Sequence, residues 1–178
     1  MDIALLNNPF YCGSIVCTKQ HPMKEHNPHP LYLILPNIRS CHNVGAMFRN
    51  ADAFGIEKIY LVGWTPAPPK PQIDKVALGA ETWIPWEQRK SLKRLITTLK
   101  KKGVAVAALE QSAQSVSVHT AKITAPTALI VGNEVTGVAP EILSLCDVVY
   151  DIPMCGKKES LNVSVAAGIA LFSLRNNQ

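Results

Sequence analysis

Short apolar runs alternate with helix-patterned stretches along most of this chain, and that alternation restricts the fold more than any other feature. Residues 31–35 are apolar and stop at Pro36, so they read as a buried strand. Residues 43–54 carry Val44, Met47, Phe48, Ala51 and Phe54 at helical spacing, and Gly55 ends the pattern. Residues 59–62 form a second strand. Residues 91–102 make the clearest amphipathic helix, with Leu92, Leu95, Ile96 and Leu99 in one stripe, Ser91 as cap and Gly103 as stop. Three more apolar runs follow, at 104–109, 128–131 and 148–152, with a short helix at 139–145. A last helix over 162–174 places Val163, Ala166, Ala167, Ala170 and Leu174 on one side. Strands that are apolar throughout, each followed by a helix, predict an α/β fold: a mostly parallel sheet with helices on both faces. Residues 65–71, Thr-Pro-Ala-Pro-Pro-Lys-Pro, suit neither a helix nor a central strand and are expected to be an exposed, extended loop.

The length of 178 residues fits one domain, 31–178, preceded by an arm at 1–30. With 47% hydrophobic and 17% charged residues the chain is globular rather than disordered. Its best apolar run, residues 163–172, is too short to span a bilayer, and no membrane partner is expected. The start has neither a basic region nor an adequate apolar core for a secretory signal. Five cysteines without a Cys-x-x-Cys pair suit a reducing, cytoplasmic compartment. Cys12, Cys17, His21, His26 and His29 are metal-ligand types, but they lack the long spacing between ligand pairs that zinc sites use, and no metal is expected.

The net charge of +5 is unevenly distributed. Residues 61–102 hold nine basic and three acidic residues, whereas 103–178 hold four basic and six acidic. Two readings of Lys93, Arg94, Lys100, Lys101 and Lys102 stay open. They form the solvated side of an amphipathic helix, or they continue with Lys70 and Lys75 as a track for an RNA backbone.

Several chemistries are not supported. No G-x-G-x-x-G turn, P-loop or G-x-S-x-G elbow occurs, so dinucleotide binding and nucleotide or ester hydrolysis lose their usual signatures. Three polar clusters stand at strand ends instead. Asn43 and Arg49 flank an otherwise apolar helical stretch, where an arginine is costly unless it faces a cleft or partner. Gly132-Asn133-Glu134-Val135-Thr136-Gly137 follows the 128–131 strand, and its glycines permit close backbone approach to a ligand. Ile152-Pro153-Met154 leads through Gly156 to Ser160-Leu161-Asn162, where Ser160 can cap the last helix. Asn43 and Ser160 as caps, Glu134 as a turn residue and Arg49 as an ion-pair partner are the plain alternatives. Ligands in open α/β sheets nevertheless collect at the carboxyl ends of strands.

The three clusters resemble, in order, the motifs of the SpoU/TrmH family of RNA 2′-O-ribose methyltransferases: N-x-G-A-x-x-R-N-A-D-A-F-G from Asn43, G-N-E-x-x-G-V from Gly132, and I-P-M-x-G…S-L-N-V-S-V-A-A-G-I-A from Ile152. The resemblance implies a C-terminal trefoil knot and a homodimer, neither of which periodicity could show. It also implies methyl transfer from S-adenosylmethionine to a ribose 2′-hydroxyl of tRNA or rRNA. Matched by motif, the cofactor contacts fall at Leu109, Gly132, Ile152 and Leu161. The catalytic positions fall at Asn43, Arg49, Glu134, Ser160 and Asn162, and none is substituted.

The resemblance further implies that Arg49 acts on the hydroxyl as a base. A guanidinium is a poor base and a good bidentate phosphate ligand, so a phosphate clamp is the competing role. Glu134 is expected to orient Arg49 or to support its own loop. A catalytically silent RNA-binding or ribosome-associated module on the same fold is the alternative to an enzyme. The 178 residues read as a bare catalytic core, with RNA choice left to that core, the arm, the dimer or a protein partner.

Overall fold

The structure is a computed structural model, described over residues 29–177. Seven strands form one sheet: β1 (Leu31–Pro36), β2 (Lys58–Val62), β3 (Trp86–Arg89), β4 (Ala105–Leu109), β5 (Val116–Ser117), β6 (Thr127–Val131) and β7 (Val148–Asp151). Their order is β3-β2-β1-β6-β4-β7-β5. Every pairing is parallel, from Tyr32 opposite Lys58 at one side of β1 to Val116 opposite Tyr150 at the far edge.

Among the described residues six α-helices flank it: α1 (Cys41–Ala53), α2 (Pro71–Ala77), α3 (Ala80–Trp83), α4 (Leu92–Lys101), α5 (Pro140–Leu143) and α6 (Val163–Asn176). Alternate side chains of each strand point to opposite faces, and the core divides accordingly. Leu33, Leu35, Ile59 and Leu61 pack with Val44, Met47 and Phe48 of α1, Ile73 of α2 and Ala167, Ala170 and Leu171 of α6. Ile34, Tyr60, Val106 and Ile130 pack with Leu95, Ile96 and Leu99 of α4 and Ile142 of α5. The α/β reading of the sequence therefore stands, and the sheet is parallel throughout.

Local differences from the expected elements have physical causes. The proline-rich stretch is not simply an exposed loop. Thr65 is only 3% exposed, and its hydroxyl bonds the Leu35 and Val62 carbonyls while accepting from the Ile38 N–H. Pro71 opens α2 at a first-turn position, where a missing N–H costs nothing. β3 and β5 escape the apolar-run criterion because β3, Trp-Glu-Gln-Arg, is a polar edge strand and β5 has two residues. α6 is capped by Asn162, whose side chain accepts from the Ser164 and Val165 N–H groups; Ser160 lies upstream of the cap. Close packing of α1 on α2 requires Gly45, since a Cβ there would stand 2.6 Å from the Ile73 carbonyl oxygen.

In an all-parallel sheet the loops after β1, β6, β4 and β7 emerge side by side at one edge. That edge holds all three polar clusters.

Candidate active site

The loop after β6 is closed on itself before it touches anything else. Asn133 and Gly137 exchange backbone hydrogen bonds at 3.1 and 3.0 Å, and the Asn133 side-chain oxygen accepts from the Val135 and Thr136 N–H groups. Both glycines are needed: Gly137 sits at φ +63°, and a Cβ on Gly132 would lie 2.9 Å from the Gly137 Cα. Two side chains fasten this loop to its neighbours. Asn133 donates to the Asn37 carbonyl after β1 at 2.6 Å, and Glu110 after β4 accepts from the Val138 N–H at 2.7 Å.

Glu134 projects from this loop onto the start of α1. Its carboxylate accepts from the Arg39 N–H at 2.9 Å, the Ser40 N–H at 3.1 Å and the Asn43 side-chain amide at 3.0 Å. Burial alone pushes this carboxyl up, but those N–H groups, with its own backbone N–H, outweigh it and hold the carboxyl below the ordinary range. Asn43 in turn accepts from the Asn162 side chain at 3.1 Å. Since Asn162 Oδ1 caps α6, one hydrogen-bonded chain, Glu134–Asn43–Asn162, ties the β6 loop, the start of α1 and the start of α6 together.

Beside this chain lies a cleft of about 560 Å³, lined among others by Leu109, Gly132, Ile152 and Leu161, the four positions matched to cofactor contacts. Glu134, Ser160 and Asn162 border the same cleft. Its walls include Asp151 and Glu159, and among the described residues that line it none is basic. Gln111 spans one side by donating to the Glu159 carbonyl at 2.7 Å.

Of the five catalytic candidates, the structure joins Asn43, Glu134 and Asn162 directly and sets Ser160 at the cleft wall. Arg49 is exposed and lines a different hollow of about 540 Å³, with Asn50, Leu78 and Trp83. It is six positions beyond Asn43 on α1, about 9 Å along the axis. Glu134's partners are Arg39, Ser40 and Asn43, so it supports the loop junction. Asn37 and Asn133, which lie in or beside the polar clusters, and Glu110 and Gln111, which the sequence does not single out, also shape the site. The signal was their position, each a polar residue within two places of a strand's carboxyl end. Among the described residues no group of three or more His, Cys, Asp or Glu could hold a metal. Cys12, Cys17, His21 and His26 lie outside the described residues.

Comparison with known proteins bears on this site. The model of the SpoU rRNA Methylase family matches residues 30–172. The 23S rRNA (guanosine-2'-O-)-methyltransferase RlmB of Vibrio parahaemolyticus is 38% identical over 143 residues, which is 80% of this chain and 58% of that protein. The tRNA (guanosine(18)-2'-O)-methyltransferase of Aquifex aeolicus is 33% identical over 155 residues, covering 86% and 72%. An AdoMet-bound rRNA methyltransferase from Sinorhizobium meliloti has a TM-score of 0.78 at 32% identity, covering 83% of this chain and 56% of the other. The chain thus spans less than two thirds of the length of the RlmB relatives it matches.

Proposed function

The chain belongs to the SpoU rRNA methylase family, and from that premise we propose that it transfers a methyl group from S-adenosylmethionine to a ribose 2′-hydroxyl of tRNA or rRNA. The observation that carries this reading is the Glu134–Asn43–Asn162 chain standing at the edge of a cleft that gathers Leu109, Gly132, Ile152 and Leu161. The residues present suit the cofactor. Leu109, Ile152 and Leu161 offer apolar contact for an adenine, and Gly132 lets the β6 loop come close. The acidic wall of Asp151 and Glu159 suits a sulfonium cation.

When bound, S-adenosylmethionine supplies an already activated methyl group. The work left to the chain is to hold the ribose 2′-oxygen in line with that methyl, which in well-oriented systems is worth about 7–11 kcal/mol, while the hydroxyl proton passes to solvent and the sulfonium leaves as an uncharged thioether. Asn43 and Asn162 fix each other, Asn162 and Ser160 line the cleft, and in this reading the three side chains hydrogen-bond the acceptor ribose. Glu134 holds Asn43 and the backbone of residues 39–40 in place. Arg49 takes the phosphate-clamp role, in which its fork grips a phosphate next to the target ribose and so orients the hydroxyl. Arg49→Lys keeps the charge but loses the fork, so near-normal turnover in that variant contradicts both the clamp and a base at this position.

A homodimer belongs to the proposal. Val165, Ile169 and Phe172 form an exposed apolar stripe on α6, with Phe172 57% exposed. A monomer gains nothing by leaving such a stripe in water, and a second copy would cover it. A C-terminal trefoil knot, which the motif resemblance implies, belongs to the same reading. A 31–178 catalytic domain after a 1–30 arm and cytoplasmic location complete the reading, with RNA choice left to the core, the arm, the dimer or a protein partner. Mapping 2′-O-methyl positions in total RNA with and without the gene tests it. Loss of one or more marks is expected; an unchanged map, as a catalytically silent module would give, contradicts it.

A further inference from the structure

The cleft and its polar chain use only part of the carboxyl edge of the sheet. They occupy the ends of β6, β4 and β7 and the junction with β1. The other part, the ends of β1, β2 and β3, presents Arg39, Trp64, Arg89 and Lys90, all exposed. We propose that this part is the track for single-stranded RNA flanking the target ribose, with one nucleobase stacked on the indole of Trp64. The inference rests on the methyltransferase reading and adds to it where the RNA lies and which side chain grips a base.

Trp64 is 59% exposed, yet its backbone and those of its two neighbours are hydrogen-bonded to the surrounding strands and loops. Its own N–H donates to Asn37 Oδ1 at 3.3 Å. On one side, the Gly63 N–H donates to the Arg89 carbonyl at 2.8 Å. On the other, buried Thr65 is tied by its hydroxyl to β1, β2 and the Ile38 N–H. A loop braced at three successive residues therefore holds a large apolar ring out in water. Exposing an indole this way forgoes burial that would stabilise the fold. A rigid exposed aromatic beside cations is what unstacked bases bind, since every base offers a π-face.

The charge around Trp64 agrees. Glu87 is already engaged by Arg89 at 2.7 Å and Lys58 at 3.8 Å, and Arg39 and Lys90 leave positive charge for phosphates. The turn is also continuous with the site, because Asn37, which holds the Trp64 N–H, is itself held by Asn133 of the β6 loop. The other end of the basic segment points away. α4 runs back from Ser91 at this edge to Lys101 at the amino edge, where Lys100 pairs with Asp147 at the start of β7 at 2.7 Å. Lys100, Lys101 and Lys102 thus stand across the sheet from the cleft.

The test is binding of short mixed-sequence single-stranded RNA, and of bulk tRNA and rRNA, with S-adenosylmethionine affinity measured alongside by calorimetry. Trp64→Ala should weaken RNA binding at least about 5-fold, and Trp64→Phe should restore most of it. Arg39→Gln with Lys90→Gln should lower the slope of log affinity against log salt by about 0.7 per charge. Lys101→Glu with Lys102→Glu should change neither quantity. Cofactor affinity should hold in every variant, and RNA carrying 5-iodouridine should crosslink to the peptide containing Trp64. Wild-type methylation with unchanged RNA binding in Trp64→Ala overturns this inference and leaves the proposed function standing. RNA binding that falls with Lys101→Glu and Lys102→Glu instead, or crosslinks only elsewhere, also overturns it. A change in dimerisation without a change in RNA binding assigns Trp64 to a second copy and overturns it. A wild type that binds no RNA overturns both readings together.

Discussion

Replacing Glu134 with Gln probes the junction on which the site depends. The carboxylate accepts from the Arg39 N–H, the Ser40 N–H and the Asn43 amide through two oxygens. A glutamine has one oxygen, and its amide must face a donor. If that oxygen keeps Ser40 and Asn43, the Arg39 N–H loses its shorter acceptor at 2.9 Å, faces an amide donor there and keeps only the longer 3.2 Å contact to the shared oxygen. A hydrogen bond to a charged group is worth about 1.5–3 kcal/mol, and solvent around this exposed side chain reduces the loss to about 1 kcal/mol at neutral pH. With a urea slope of about 2 kcal/mol/M, the unfolding midpoint should fall by about 0.5 M. The pH dependence is sharper. Donors hold the Glu134 carboxyl below its ordinary range despite the opposing effect of burial. A carboxyl lowered by folding contributes stability above its unfolded pKa, near 4.3, and that contribution disappears as pH falls through the folded value. Protonated Glu134 then resembles the glutamine. Urea unfolding of both proteins from pH 8 down to about 3.5 should therefore show a full gap at pH 7 that closes in acid. A gap constant with pH, or none at pH 7, refutes the clamp.

Gly45→Ala should destabilise by about 1–3 kcal/mol, because the new methyl meets the Ile73 carbonyl and Val76 Cβ at 2.6 and 2.9 Å; an unchanged melting temperature rejects that packing. Cys146 should alkylate more slowly than exposed Cys155 when peptides are mapped at pH 8, since burial pushes its thiol up to about 11; faster labelling at Cys146 rejects this. Arg175→Ala should cost about 2 kcal/mol in a denaturant titration, because its guanidinium holds the Phe54 and Gly55 carbonyls at the end of α1; loss below measurement contradicts that anchoring role.

How far the sequence reveals this molecule depends on what kind of signal each part carries. Buried central strands such as residues 128–131 announce themselves, because a strand covered on both faces must be apolar throughout. β3 does not, because an edge strand needs no such run. The α1 pattern is legible through Val44, Met47, Phe48 and Ala51, all buried. The proline-rich stretch misleads, because composition cannot show that Thr65 is buried by its hydroxyl bonds while Trp64 next to it is held outside. At the site, motif resemblance supplied Asn43, Glu134, Ser160 and Asn162 and the four cleft positions. It could not show that Asn43 links Glu134 to Asn162, because those contacts span 91 and 119 positions of sequence. Arg49 lies outside the cleft because helical geometry carries it onward along α1 from Asn43.

The central claim is that this chain moves a methyl group from S-adenosylmethionine to a ribose 2′-hydroxyl of RNA. Incubation of the purified protein with tritiated-methyl cofactor and RNA, followed by alkaline hydrolysis, tests it most directly. Alkaline cleavage needs a free 2′-hydroxyl, so methylation there protects the adjoining linkage. The account predicts label in alkali-resistant dinucleotides, greatly reduced in Asn43→Ala and Asn162→Ala. Label confined to mononucleotides, or no transfer to any tRNA or rRNA, contradicts it.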